Sequence, residues 1–351
     1  MVVLSVALLG LALWGCTAGG ASAPITGRGA VSSETAQATT STHPKVRAEQ
    51  NGAIAVALST GPRSIDPRTG ERLGIASGLR NLGAGEVRDW DWSPDGTSLV
   101  YVLNCILTCG DFPHGVFIRD VATGQTRHLT AVPDTTTAVA WAPDGTKIAY
   151  VDRGQIHVMD PNGSRTGAVV STARHVADSV SWNPTSGLIA FADSPRGKGP
   201  DNVYVSGLDG SAPRLIAPGA EPAWSPDGAE IAFLRGCAVW VKTMGAFPTT
   251  TPIARLGSPD IRALDPTLVH RPCSYGLPAQ SSQPEWSPDG RLLAVTLPRY
   301  GILVVRLNPS CGANSCRFHP TQRVLAPGLP GRVAGNGFSK PAWQPVPVGQ
   351  P

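Results

Sequence analysis

One pentapeptide recurs along the chain and restricts what it can become. Trp92-Ser93-Pro94-Asp95-Gly96 returns as Trp141-Ala142-Pro143-Asp144-Gly145, as Trp224-Ser225-Pro226-Asp227-Gly228 and as Trp286-Ser287-Pro288-Asp289-Gly290. A looser copy, Trp182-Asn183-Pro184, carries a turn one residue longer, and a last copy, Trp343-Gln344-Pro345, lies near the C-terminus. After the full copies comes a short apolar run: Leu99-Val100-Tyr101, Ile148-Ala149-Tyr150, Ile231-Ala232-Phe233 and Leu293-Ala294-Val295.

The unit reads as two strands around a tight turn. Pro at the second turn position fixes φ, and Gly at the fourth accepts a left-handed backbone. A second pair of strands follows in most copies around turns such as Thr123-Gly124, Asn162-Gly163 and Asp209-Gly210. Each repeat is therefore a four-stranded antiparallel meander. Gly 40 and Pro 33 together with only 15% charged residues exclude helical bundles and coiled coils, because such punctuation would break every helix. The Trp residues are about 41 to 62 apart, near the period of propeller blades; the two longest intervals must hold insertions. The sixth copy stops soon after Trp343, while residues 51–77 supply the strands it lacks, Ile54-Ala55-Val56 among them. The expected fold is all-β: a six-bladed β-propeller of four-stranded antiparallel blades over residues 51–351, its last blade closed by the N-terminal strands.

The repeat resembles that of the TolB-like β-propeller family, Pro-x-Trp-Ser-Pro-Asp-Gly followed by Ile-Ala-Phe/Tyr. Pro222-Ala223-Trp224, Pro284-Glu285-Trp286 and Pro341-Ala342-Trp343 carry the leading proline too. The resemblance spans about 300 residues and implies the fold. It does not imply one function, since related propellers include both binding modules and enzymes.

The N-terminus reads as an export signal. Val2 to Trp14 is an apolar run, too short to span a bilayer and suited to a signal peptide over residues 1–15. Leu13-Trp14-Gly15-Cys16 resembles the lipobox of bacterial lipoproteins, which implies lipid on Cys16; an ordinary signal peptide with an incidental Cys is the other reading. Residues 16–50, rich in Ala, Thr, Ser and Gly, form a flexible tether of about 30 Å rms reach. The protein would sit on the extracytoplasmic side of a membrane, attached through lipid alone. Six further cysteines fit an oxidising compartment. Proximity pairs Cys105 with Cys109 and Cys311 with Cys316, and leaves Cys237 for Cys273, though six cysteines allow fifteen connectivities. Metal binding is the alternative, and the spacings suit zinc poorly.

No catalytic, metal or phosphate-binding motif occurs, so no catalytic residue, metal or cofactor is expected. A net charge of +4 without a basic run gives no nucleic-acid signal. Propeller sites cluster at one mouth of the central channel. If each innermost strand ends at its Trp, the residues where it begins are Arg88 and Asp89, Thr137, Asp178 and Ser179, Glu221, Gln283 and Lys340. This polar ring, expected to face solvent, suits a polar ligand or an envelope protein. The leading expectation is a monomeric, non-enzymatic binding scaffold. The alternative is a lyase or hydrolase acting on carbohydrate or envelope material at the same mouth.

Overall fold

The computed structural model describes residues 52–58, 61–74, 82, 86–104, 114–131, 138–170, 175–195, 201–235, 238–245, 250–255, 283–297, 301–307, 309–312, 315–318, 321–325 and 340–345. The assigned signal peptide, Cys16 and tether lie outside them, as do Thr137, Cys105, Cys109, Cys237 and Cys273.

Every described element is a strand. The chain opens with β1 (Ile54–Leu58), β2 (Gly61–Ile65) and β3 (Arg72–Leu73). Then come β4 (Glu86–Trp92), β5 (Ser98–Asn104), β6 (Gly115–Asp120) and β7 (Thr126–Ala131). The next four are β8 (Val139–Trp141), β9 (Ile148–Asp152), β10 (Gln155–Met159) and β11 (Arg165–Val170). They are followed by β12 (His175–Trp182), β13 (Ile189–Pro195), β14 (Asn202–Ser206) and β15 (Arg214–Pro218). A further set is β16 (Ala220–Trp224), β17 (Glu230–Arg235), β18 (Ala238–Thr243) and β19 (Thr250–Arg255). The last strands are β20 (Glu285–Trp286), β21 (Leu292–Leu297), β22 (Gly301–Arg306), β23 (Pro309–Gly312), β24 (Ser315–Phe318), β25 (Thr321–Leu325) and β26 (Ala342–Trp343).

Each quartet forms a meander, and one sheet joins the two ends of the chain in the order β26-β1-β2-β3. There Ile54 faces Trp343 and Ala55 faces Ala342, and Gln344 N–H donates to Ala53 O at 2.9 Å. The closure expected from the sequence is present. Part of the insertion between Trp286 and Trp343 is the hairpin β23–β24, a separate two-stranded sheet that lies in sequence between β22 and β25 of the sheet β20-β21-β22-β25. It sets Cys311 opposite Cys316.

The repeated turns work as their residues dictate. Ser93 O accepts Gly96 N–H at 2.8 Å, with Gly96 at φ +70°. Asp95 Oδ1 accepts the Ser93 hydroxyl at 2.6 Å and Thr97 N–H at 3.0 Å. Asp227 and Asp289 repeat the arrangement with Ser225 and Ser287. These aspartates are turn residues, as their position in the pentapeptide suggested.

Packing explains why the strand after each turn is apolar throughout. Leu99 to Leu103 on β5 and Ile148 to Val151 on β9 are buried on both faces, as expected for a sheet sandwiched between neighbours. Six apolar clusters each join two consecutive sheets; one of them sets Trp286, Leu293 and Val295 against Ala223, Leu234 and Val239. The strands that end in the repeated Trp touch in cyclic order, β4, β8, β12, β16, β20, β26 and back to β4. Stacked meanders around a ring of inner strands make a β-propeller.

Candidate functional site

Three of the inner strands carry an irregularity where they begin. On β4 the register slips between Val87 and Asp89, leaving Arg88 as the bulged residue. On β12 it slips between Ala177 and Ser179, around Asp178. On β16 it slips between Ala220 and Ala223, and Glu221 stands at φ +54°. A β-bulge re-aims the side chain it carries, and a non-glycine residue in the left-handed region is held there by its surroundings. Just before it, Gly219 is at φ +150°, and a Cβ there would lie 2.6 Å from Phe233 and 2.7 Å from Leu234 O. Only glycine lets the chain enter β16 this closely. Three of the residues selected from the Trp spacing are thus bulge residues at one end of the axis.

The others are brought together by burial rather than by exposure. Lys340, Asp89 and Gln283 are only 5%, 6% and 5% exposed, which corrects the expectation of a solvent-facing ring. The reason is the narrow axis: side chains at the start of one inner strand meet the backbone of the next. Asp89 Oδ2 accepts Val139 N–H at 2.8 Å and lies 3.9 Å from Lys340 Nζ. Lys340 Nζ donates to Val139 O at 3.3 Å, while Lys340 O accepts the indole N–H of Trp90 at 2.8 Å. Gln283 Nε2 donates to Pro222 O. Lys340 alone therefore links three sheets.

Two further acids join this cluster that the Trp spacing did not select. Asp91 and Glu285 each precede a repeated Trp. Asp91 Oδ2 accepts Trp141 N–H at 2.7 Å, and Glu285 O accepts the Trp343 indole N–H at 3.2 Å. The signal was available. Side chains alternate along a strand, so the residues one and three before a Trp share a face.

The electrostatics follow from one ammonium among several carboxyls. Burial raises the Asp89 pKa to about 6, against the pull of Lys340 and the Val139 N–H. Asp91 is raised for the same reason, opposed first by Lys340. Burial pushes Glu285 up to about 8; Lys340 opposes this, and Asp91 and Asp89 add to it. Burial works against the Lys340 ammonium, yet Asp89, Asp91, Glu285 and Glu221 hold its pKa above the usual lysine range. Among the described residues no three His, Cys, Asp or Glu side chains are placed to hold a metal ion.

The repeated Trp residues serve inter-sheet packing with one refinement. Trp182, Trp286 and Trp343 each donate the indole N–H to the preceding sheet's inner strand, at Ala140 O, Ala223 O and Glu285 O. Trp240, outside that pattern, packs under the Arg235 guanidinium at 5.3 Å. At the opposite end of the inner strands, a cavity of about 400 Å3 opens between two turns, lined by Asp227, Glu230, Trp286 and Asp289 among others. Burial and the Asp227 charge raise the Glu230 pKa to about 7.

No protein-family model matches the chain. By structure it is similar to TolB from Acinetobacter baumannii, with 14% identity, a TM-score of 0.53, and coverage of 84% of this chain and 67% of that one. It is also similar to a chain of the nidogen/laminin complex, with 10% identity, a TM-score of 0.55, and coverage of 82% of this chain and 97% of that one. At such identities the likeness is one of fold: a TolB-like β-propeller.

Proposed function

We propose that this protein is an exported propeller, anchored by lipid on Cys16, that binds a protein partner at the bulged end of its axis and catalyses no reaction. One observation carries the reading. Arg88, Asp178 and Glu221 sit on irregularities at the same end of three inner strands, and backbone irregularities of this kind gather at functional sites. Buried hydrogen bonds hold the residues at this end of the inner strands, so the bulged backbone stands on a rigid base. Kinship of fold adds support, since the chain it resembles in the nidogen/laminin complex was solved with a protein partner.

A photo-crosslinking residue placed at Arg88 or at Glu221 should capture the same envelope protein from intact membranes. The same probe at Leu215, 55% exposed on an outer strand, should not capture it. Equal capture from Leu215 would move the interaction to the blade surfaces. The anchor has its own test. Cys16→Ser should shift the protein from the membrane fraction to the soluble one, and a wild-type protein already found in the soluble fraction would remove the lipid from this reading.

A further inference from the structure

We propose that the charge cluster around Lys340 is a proton-operated clasp on the seam of the propeller, holding the closing strand when some of its carboxyls carry protons and loosening it when all are ionised. The seam is the sheet in which the two ends of the chain meet. Its C-terminal contribution, β26, has two residues, paired to β1 at Ile54 and Ala55. So short a strand gains little from its own ladder, and its neighbours hold it as much as its partner does. On one side Glu285 O takes the Trp343 indole. On the other, Trp90 donates to Lys340 O, and the Lys340 ammonium reaches Asp89 and Val139 O on two further strands. Every one of these contacts lies within four residues of β26 or ends on it.

The charges facing Lys340 come from three elements. Asp89 and Asp91 stand on β4, Glu221 on β16 and Glu285 on β20; β8 contributes the Val139 carbonyl. One cation against four carboxylates leaves a negative excess in a buried place, which is unfavourable. Proton uptake removes that excess without disturbing the Lys340 bonds to backbone. As pH falls Glu285 takes a proton near 8 and Asp89 near 6, while burial raises Asp91 as well. Each ionisation on the way back up adds repulsion beside the two-residue strand, which pairs with β1 at two positions.

Hydrogen exchange of the full chain, corrected for the intrinsic effect of pH, reads this directly. Amides of residues 53–56 and 342–344 should lose about tenfold in protection between pH 6 and pH 9, the equivalent of one pKa unit of linkage. Amides of β9 and β10 should stay unexchanged over the same period, which separates seam opening from unfolding of the whole domain. Glu285→Gln should reduce the pH dependence at the seam, leaving the part that Asp89 and Asp91 supply; if that variant does not fold, Asp91→Asn should reduce it. Seam protection that is flat from pH 6 to 9 would overturn the proposal. So would a fall of the same size in the Glu285 or Asp91 variant, or exchange of β9 and β10 in step with the seam.

Discussion

Lys340→Met should lower the unfolding free energy at pH 8 by about 3–5 kcal/mol, the usual cost of removing one partner from a buried ion pair. That is a large part of the roughly 5–15 kcal/mol that stabilises an ordinary domain. The substitution keeps the aliphatic stem and removes only the ammonium, so the loss reports charge and hydrogen bonding rather than a cavity. It strands Asp89, Asp91, Glu221 and Glu285 without the cation that faces them. At pH 5 the loss should be smaller, because carboxyls left unpaired can take up protons. Urea titrations followed by tryptophan fluorescence at both pH values measure the difference. A cost below about 1 kcal/mol at pH 8 would place Lys340 among ordinary solvated charges, against its observed burial.

The second large effect is an inverted pH profile. Folding raises the pKa of Asp89 from 3.8 to about 6, of Glu230 from 4.5 to about 7 and of Glu285 from 4.5 to about 8. For such groups the folded chain binds protons that the unfolded chain has released, so stability falls as pH rises between the unfolded and the folded values. Their contribution is complete below about 4 and gone above about 8. Asp66, Asp95, Asp120 and Asp209 shift the other way, lowered from 3.8, and lose their contribution only as pH falls below that value. Between pH 8.5 and 5.5 the buried carboxyls therefore prevail. The thermal midpoint should be higher at pH 5.5 by at least about 5 °C, taking roughly 2–4 °C per kcal/mol for a domain of this size. Melts at constant ionic strength test it, and a higher midpoint at pH 8.5 would mean that these carboxyls are solvated.

Most of the fold is legible in the sequence because it rests on local chemistry repeated many times. Ser93 to Gly96 specify a turn with residues of their own, and Ile148 to Val151 specify a strand with both faces dry. Closure is legible for a different reason: Ile54 to Val56 match the strand that follows the Trp turn in the other copies, and no such turn stands directly before them. The site is legible only in position. Distance from a Trp places Lys340 and Asp89 at the start of inner strands. Their burial depends on how closely strands from six sheets converge, and no local pattern encodes that. Asp91 and Glu285 needed the alternation of side chains along a strand as well as the spacing. The bulges at Arg88, Asp178 and Glu221 are harder still, since an extra residue in one strand is defined by the partner strand and not by its own sequence.

The joint sheet has a mechanical consequence. Because β1 is the first and β26 the last of the described strands, tension applied to the chain just ahead of residue 54 or just beyond residue 343 reaches the ring through one sheet. A pull on β1 along its axis loads its hydrogen bonds to β2 and β26 together, in shear rather than one at a time. Strain falls on β1 and its two neighbours, and passes to the adjoining sheets through the indole bonds of Trp343 to Glu285 O and of Trp90 to Lys340 O. A propeller built in this way works as a shackle: a rigid body whose pin is also the point where the line is made fast.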